Sequence, residues 1–289
     1  MDEAALTSRI AEIESSPAVR PDVFLLYYDC LAAARSGNLE VLTHSLEVLA
    51  GAPVAAPAFR LRKYADETFT AGETDRYSRS VNADPASKLV LERPETAIFD
   101  RASRLLERAF ELLDRGAPEV SAEIRALVKE IVLVCDGSEA AMSLDGATSF
   151  YAWGSLFLNA DKHKTAVAMA EAIAHEGAHS HLYGLALGEP LVDNPNEERY
   201  RSPLRIDPRP MDGITHATFV SARMYYALDR LLASSLLNPE EQAVAQECRG
   251  AARKAFFEGH ATFAAHARPT TLGRALLADA YRYMEKAAA

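Results

Sequence analysis

The residues most able to do chemistry form a His-Glu-Gly-Ala-His motif at residues 175–179. On a helix, positions i and i+4 project from one face, so both imidazoles can reach a single metal ion while Glu176 lies beside them. A helix is expected over about 165–187, before Pro190. Burying two imidazoles without partners would cost several kcal/mol, so we interpret the pair as metal ligands rather than as core histidines.

Two histidines leave a metal ion short of protein ligands, and the candidates for a third lie downstream. Glu198 follows the motif after eighteen residues, a spacing known from one family of zinc aminopeptidases, but the prolines and charges around it predict a solvated loop. His216 precedes an apolar stretch and is predicted at the start of a helix, from which its side chain can point inward. We favour His216, whose alternative roles are helix capping or core packing, and leave open Glu198, Asp207 and Asp212.

The loop between these candidates is rich in arginine and proline. It carries Arg201, Arg205 and Arg209, and its prolines stiffen it by fixing φ. Guanidinium groups near a metal suit a carboxylate or a small dianion, because one guanidinium can hold two oxygens. The alternative is that the arginines form salt bridges with the nearby acids Glu197, Glu198, Asp207 and Asp212.

Composition limits the class of protein. The chain has 289 residues, and 31 basic against 41 acidic side chains give a formal net charge of −10. An acidic chain without a lysine or arginine cluster is a poor candidate for nucleic-acid binding. No apolar run approaches the roughly 20 residues that cross a bilayer, and the first segment lacks the features of an export signal. We therefore expect a cytoplasmic protein with no membrane and no nucleic-acid partner.

The cysteines do not predict a metal or disulfide site. Cys30, Cys135 and Cys248 are far apart and form no CxxC pair, which argues against a disulfide framework and against a cysteine-based zinc site. A metal ion must therefore find histidine and oxygen ligands.

Hydrophobic periodicity predicts a mainly α-helical α+β fold. Helices are expected over about 22–36, 39–50, 94–116, 118–129, 165–187, 216–235, 239–268 and 270–287. We group the chain into a helical N-terminal region over 1–95 and a metal-binding catalytic region over 96–289, which could also form one continuous domain. The N-terminal helices either bind a leader peptide or complete the core.

Strands are expected within 131–135 and 148–159, which are rich in β-branched and aromatic residues. The second segment precedes the motif helix, where zinc peptidases with this motif place a sheet edge that binds peptide by strand addition. We therefore expect a zincin-like active-site helix beside a small antiparallel sheet. A plain core strand is the alternative for 148–159.

The wider motif region carries a resemblance. The chain reads AEAIAHEGAHSHLY at 170–183 and SPLRIDPRPMDGITHATFVSAR at 202–223, with the strand-like GSLFLNAD before them. It resembles the HExxH-motif peptide-modification proteins found beside ribosomally made peptide natural products. The likeness is strong over about 80 residues and extends to the helical flanks only in character. Members of that group are understood to be iron(II)- and 2-oxoglutarate-dependent peptide β-hydroxylases.

The resemblance implies a dioxygenase that uses O2 to hydroxylate the β-carbon of a side chain in a ribosomally made precursor peptide. It implies that His175, His179 and His216 are the iron ligands. It also implies that an arginine of the 205–209 run, Arg205 or Arg209, holds the carboxylate of 2-oxoglutarate. Such an enzyme belongs to the biosynthesis of ribosomally made, modified peptides.

Other interpretations of the motif stay open. In a zinc-dependent metallopeptidase the same two histidines hold zinc, and Glu176 activates a bound water for attack on a peptide carbonyl. In a hydroxylase Glu176 orients a ligand or a water. Iron oxygenases more often use two histidines and a carboxylate, which keeps Glu198 and Asp212 in consideration. The third interpretation is a non-catalytic peptide-binding protein with a vestigial motif.

Overall fold

A computed structural model describes residues 3–16, 19–52, 59–83, 88–138, 140, 142–187 and 189–287. The fold is mainly helical with one small sheet, which confirms the α+β class. No helix within these ranges is long and apolar enough to span a bilayer.

The chain divides into two compact units that interleave along the sequence. Unit 1 comprises Met1–Ala102 and Arg125–Lys162, and unit 2 comprises Ser103–Ile124 and His163–Ala289. The sheet therefore belongs to the same unit as the N-terminal helices. The predicted division into regions 1–95 and 96–289 stays a prediction.

Unit 1 contains four short helices among its described residues. They are α1 (Glu3–Ser15), α2 (Pro21–Ser36), α3 (Leu39–Gly51) and α4 (Ala71–Val81). Proline at the first position of α2 suits a helix start, and Gly37 ends that helix with a left-handed φ of 69° that glycine adopts without strain. Asn38 then caps α3 by accepting a hydrogen bond from the Val41 amide.

The sheet of unit 1 has five strands: β1 (Arg60–Lys63), β2 (Leu91–Glu92), β3 (Glu130–Asp136), β4 (Gly146–Thr148) and β5 (Ser155–Asn159). The strand order is β1-β3-β5-β4, and β2 pairs with β3. The β1–β3 and β3–β5 pairs are parallel, with Ile131 opposite both Leu61 and Leu156, whereas the β2–β3 and β4–β5 pairs are antiparallel.

The expectation of an antiparallel sheet is therefore wrong, because the sheet is mixed. Parallel neighbours need a long crossover, and the chain between β1 and β3 supplies helices. Within the predicted segment 148–159, the core-strand interpretation holds for β5, in which every residue is buried and which lies between β3 and β4. Thr148 ends β4, and Phe150–Ala152 forms a short 3-10 helix. A strand with neighbours on both sides has no open edge to which a peptide could add.

The motif helix belongs to unit 2. Two helices have residues in both units, because the unit boundaries fall within them: α5 (Thr96–Gly116) and α6 (Pro118–Leu127). Four more follow within unit 2: α7 (Ala166–Leu185), α8 (Met211–Ala233), α9 (Pro239–His266) and α10 (Thr271–Lys286). Their shared core includes Leu182 of α7, Ile214 and Val220 of α8, Phe263 of α9 and Leu277 of α10.

Helix α8 begins five residues earlier than the sequence predicted. Pro210 is its N-cap residue, and Met211 in the first turn is completely buried. Burial of this turn extends the helix backward, because its apolar side chain packs in the core of unit 2. His216 therefore lies in the second turn of α8 and is not a capping residue.

Close packing of α9 on α8 depends on a glycine. A Cβ atom at Gly259 would lie 2.3 Å from the Thr218 hydroxyl oxygen and 3.2 Å from Pro203 Cγ. Thr218 is fully buried, and its hydroxyl donates to the Ile214 carbonyl, so it has little room to move. Because Pro203 belongs to the loop before α8, its closeness to Gly259 also places this loop against α9.

We predict that Gly259→Ala lowers the free energy of unfolding by about 1–3 kcal/mol, because the added methyl overpacks this crossing. Gly250 of the same helix has nothing within 4 Å of a Cβ position, so Gly250→Ala should raise stability by about 0.5–1 kcal/mol. Urea unfolding of both variants checks this. Equal effects of the two substitutions would contradict the packing argument.

Candidate metal centre

The two histidines of the motif lie on one face of α7. Thr165 begins this helix by accepting a hydrogen bond from the Ala168 amide, and His175 and His179 follow at helical spacing. Their Nε2 atoms lie 3.3 Å apart. Both residues are partly buried.

This separation suits two ligands of one metal ion. Metal–imidazole bonds are about 2.1 Å long, and two such bonds to nitrogens at this separation enclose an angle of about 100°. That angle lies between the values for tetrahedral and octahedral coordination. The His175 and His179 Nε2 atoms therefore fit a divalent metal as a pair.

Helix α8 brings His216 to the same place through a different atom. His216 Nδ1 lies 3.4 Å from His179 Nδ1, and the two rings are stacked with centroids 5.7 Å apart. The other nitrogen, His216 Nε2, lies 3.8 Å from Asp212 Oδ2, one turn earlier on α8. Three imidazoles thus form a continuous row from α7 to α8.

In the observed arrangement, the three histidines do not point three nitrogens at one position. His179 presents Nε2 to one neighbour and Nδ1 to the other, and the two nitrogens of one ring point in divergent directions. In the part of the chain that the structure describes, no group of three or more His, Cys, Asp or Glu side chains has the arrangement of a metal site. His216 would have to turn its ring to join the Nε2 pair.

The three rings have too few N–H groups to place a hydrogen bond in both of the nitrogen pairs that face each other in the row. Three neutral imidazoles carry one N–H each. If His175 Nδ1–H donates to Met224 Sδ, 3.1 Å away, and His216 Nε2–H points to Asp212, both inner nitrogens of the end rings are lone pairs. The single proton of His179 satisfies only one of them. One nitrogen pair therefore brings two lone pairs together, and a cation between them would remove the repulsion.

Burial favours the neutral forms of the His179 and His216 rings. Burial, together with the nearby His175 and His216, holds the pKa of His179 well below its ordinary value. Burial also lowers the pKa of His216, although the Asp212 carboxylate opposes this shift. Neutral imidazoles are the form that binds metal ions.

The glutamate of the motif and a tyrosine complete the surroundings. Glu176 is buried, and its Oε1 lies 3.9 Å from His175 Nε2. Tyr183, one turn after His179 on α7, has its ring 5.9 Å from that of His216. Burial and the carboxylates of Glu176 and Asp212 raise the pKa of Tyr183, so its hydroxyl stays protonated and able to donate.

Tyr183 and Met224 were not identified from the sequence. Tyr183 continues the i, i+4 series of the motif histidines, and this spacing could have found it. Met224 lies eight residues after His216 on the same helix, and its sulfur orients His175 by contacting Nδ1. A lone methionine on an apolar helix gives no signal in the sequence.

An ion cluster also missed from the sequence ties three helices together around the site. Glu123 of α6 accepts a hydrogen bond from Arg223 Nη2 of α8 at 2.7 Å, and its other oxygen lies 2.9 Å from His181 Nδ1 of α7. Burial opposes ionisation of Glu123, but the contacts with His181 and Arg223 hold its pKa below the ordinary value. Because His181 and Arg223 are neighbours of the histidine row, this cluster fixes the crossing of α7 and α8.

The arginine-rich loop is closed at its base by an antiparallel bridge. The backbones of Tyr200 and Arg209 exchange two hydrogen bonds of 2.8 Å. Within the loop, Asp207 contacts both arginines: Arg205 Nε at 3.3 Å and Arg209 Nη1 at 3.1 Å. The salt-bridge alternative is thus observed for Asp207, and the role of Arg205 and Arg209 toward a keto acid stays a prediction.

Of the two, Arg209 lies nearer to His216 along the chain. Its side chain runs beside Gly213, where a Cβ atom would lie 3.3 Å from Arg209 Cβ. Gly213 is one helical turn before His216 on α8. Arg205 is more exposed than Arg209, with 42% against 20% of its side chain accessible.

Glu198 has other partners among the described residues. It accepts hydrogen bonds from Tyr200 and Asn194 and forms an ion pair with Arg268 at 2.9 Å. Hydrogen bonds from Tyr200 and Asn194 lower its pKa. This cluster draws Glu198 to the segment after α9 rather than to the motif, which favours the solvated-loop interpretation over a ligand role.

We predict that the metal-free protein loses stability as the pH falls below about 6.5, where the histidines of the unfolded chain take up protons more readily than those of the folded chain. The loss should reach at most about 1.4 kcal/mol per pH unit for each such histidine. Urea unfolding in a chelator should show a shallower pH slope for His179→Gln than for the parent. His44→Gln, on the exposed face of α3, is the matched control. The same slope in all three proteins would contradict the assigned neutrality.

Comparison with known proteins adds no relative. No family model matches the chain, and no curated protein matches it.

Proposed function

We propose that the protein is a metal-dependent enzyme that binds iron(II) and 2-oxoglutarate and hydroxylates the β-carbon of a side chain in a ribosomally made precursor peptide, with O2 as the oxidant. The observation that carries the metal assignment is the pair of Nε2 atoms of His175 and His179, 3.3 Å apart on one face of α7. The sequence resemblance supports the choice of hydroxylation.

In this proposal the ligands are His175, His179 and His216. Neutral His216 is already in contact with His179, so a ring rotation rather than a movement of α8 completes the set. Three protein ligands leave coordination positions for a bidentate keto acid and for O2. Iron with 2-oxoglutarate supplies the oxidising chemistry when bound, and the protein supplies orientation and a dry environment.

The remaining side chains have positioning roles. Met224 fixes the tautomer of His175 by occupying Nδ1. Buried Glu176 and the protonated hydroxyl of Tyr183 hold a water or substrate group beside the ligands. Arg209 precedes α8 and lies beside Gly213 of its first turn, so we assign it rather than Arg205 to a distal carboxylate, which would compete with Asp207.

We predict one equivalent of bound iron(II) after anaerobic reconstitution, and a weak visible charge-transfer band when 2-oxoglutarate is added. Exposure to O2 should remove the band and form succinate. His179→Ala should lose both the iron and the band, while His44→Ala, on the exposed face of α3, keeps them. Tightly held zinc without a band would contradict the hydroxylase proposal and leave the metal site standing.

A zinc-dependent peptidase is the second candidate, and one observation favours it. Glu176 Oε1 lies 3.9 Å from His175 Nε2, so the carboxylate is beside the nitrogen that would bind the metal. With zinc bound, which would supply an activated water, a carboxylate in this place would be the base of a hydrolytic reaction. The same two histidines would hold the zinc ion.

Replacing Glu176 by glutamine separates the two candidates. A hydrolytic reaction needs the carboxylate as a base, so Glu176→Gln should lower peptide cleavage by about 10²–10⁴-fold. A hydroxylase that uses this residue for positioning should retain part of its succinate formation. Mass spectrometry of incubated peptides distinguishes a cleavage product from a hydroxylated one. An equal and complete loss of both metal and activity would contradict a purely chemical role for Glu176.

A further inference from the structure

Unit 1 holds a polar cavity that has no part in the proposed chemistry. Its volume is about 370 Å³, and it is lined by Arg20, Arg60, Leu61, Arg62, Thr68 and Glu73. Arg60 begins β1, and Arg20 is the N-cap residue of α2. The cavity thus lies where a strand and a helix of 16 residues both begin. Its size falls within the range of small-ligand sites.

Two of the arginines are held in place by neighbouring groups. Arg62 donates to the Glu73 carboxylate and to the Thr68 carbonyl, and its guanidinium lies 3.6 Å from the centre of the Phe69 ring. Arg20 forms a two-pronged ion pair with Asp22, with Nε and Nη2 as the donors. A guanidinium fixed in this way loses little freedom when it binds a further group.

The third arginine retains unused donors. Within the described residues, the Arg60 side chain makes one hydrogen bond, from Nη2 to the fully buried Glu130 at 2.6 Å. Its Nε and Nη1 groups are therefore available, and 24% of its side chain is accessible. Arg20 Nη1 and Arg62 Nε likewise have no partner among the hydrogen bonds of the described chain.

The charges already present around the cavity limit the class of ligand that it can bind. The three arginines are already offset by Asp22, Glu73 and Glu130, with which they form ion pairs. A dianion or polyphosphate would bring excess negative charge next to Glu73, which lines the cavity. A single carboxylate needs only two or three N–H donors, and the start of α2 favours one negative charge.

We propose that this cavity binds a carboxylate group, with Arg60 as its principal partner. The carboxylate belongs either to a small organic acid or to a peptide side chain. This inference does not depend on the metal or on the proposed reaction, because every residue of the cavity belongs to unit 1 and the histidine row belongs to unit 2.

Calorimetric titration of the intact, metal-free protein tests the proposal. The probes are sodium succinate, N-acetyl-glutamate amide and inorganic phosphate at matched ionic strength. We expect saturable binding of succinate, of the glutamate derivative or of both, and phosphate binding at least about tenfold weaker. Succinate alone would identify a small acid as the source of the carboxylate, and the glutamate derivative alone would identify a peptide. Phosphate binding as tight as either carboxylate would overturn the assignment.

Variants locate the binding. Arg60→Gln should weaken carboxylate binding by about tenfold or more, since it removes a charge-assisted contact. Because Arg60 also neutralises Glu130, Leu61→Trp serves as a second variant that fills the cavity and leaves the ion pairs intact. Arg79→Gln is the matched control, since Arg79 is exposed and pairs with Asp29 and Asp75 outside the cavity. Unchanged binding in Leu61→Trp, or no saturable carboxylate binding by the parent, would overturn the proposal.

Discussion

The contact on which the proposed site depends is the row of imidazoles that joins α7 to α8. The 3.3 Å separation of His175 and His179 follows from helical spacing within α7. The 3.4 Å separation of His179 and His216 exists because α8 lies close to α7 at this point. Close approach of the motif to α6 is also required: a Cβ atom at Gly177, inside the motif, would lie 2.9 Å from Ile124 Cγ1. The Glu123 ion cluster then fixes the same three helices by charge.

The constraint that follows is electrostatic. A row of three neutral imidazoles with acceptors at both ends would not satisfy every nitrogen with its own protons. If Met224 Sδ and the Asp212 carboxylate, 3.1 and 3.8 Å away, face the outer N–H groups of the end rings, lone pairs remain in the middle of the row. A divalent cation placed between these nitrogens would remove the repulsion of their lone pairs. An additional proton on His179 is disfavoured, because burial lowers its pKa. The proposed cation would therefore be stabilised by the way α7 and α8 pack.

The sequence predicted the elements that carry the strongest periodic patterns. The motif helix, the two C-terminal helices and the strand at 131–135 lie where hydrophobic spacing placed them, and the 148–159 segment forms a strand over Ser155–Asn159. The strand directions were wrong because pairing depends on contacts between distant residues; the unbroken apolar run of β3 was the available sign of a strand buried on both faces. The start of α8 was wrong because tertiary burial of Met211 overrode a proline-rich local sequence.

For the site, spacing alone predicted that His175 and His179 share a helix face, and the structure places His216 beside them. The contact of Arg209 with Asp207, two residues away, was among the salt bridges that the sequence offered as an alternative. The sulfur contact of Met224 could not be predicted from spacing, because it depends on how α7 and α8 pack. The domain division and the roles of the arginines likewise depend on long-range contacts. Such contacts leave no periodic trace in a single sequence.

X-ray absorption of the iron(II)-loaded protein tests the central claim most directly, because it counts the imidazoles bound to the metal. We expect three imidazole nitrogens at about 2.1 Å in the parent protein. We expect two in His216→Ala and no stably bound iron in His179→Ala. A metal shell that is the same in the parent and in both variants would contradict the claim that this row of histidines holds the ion.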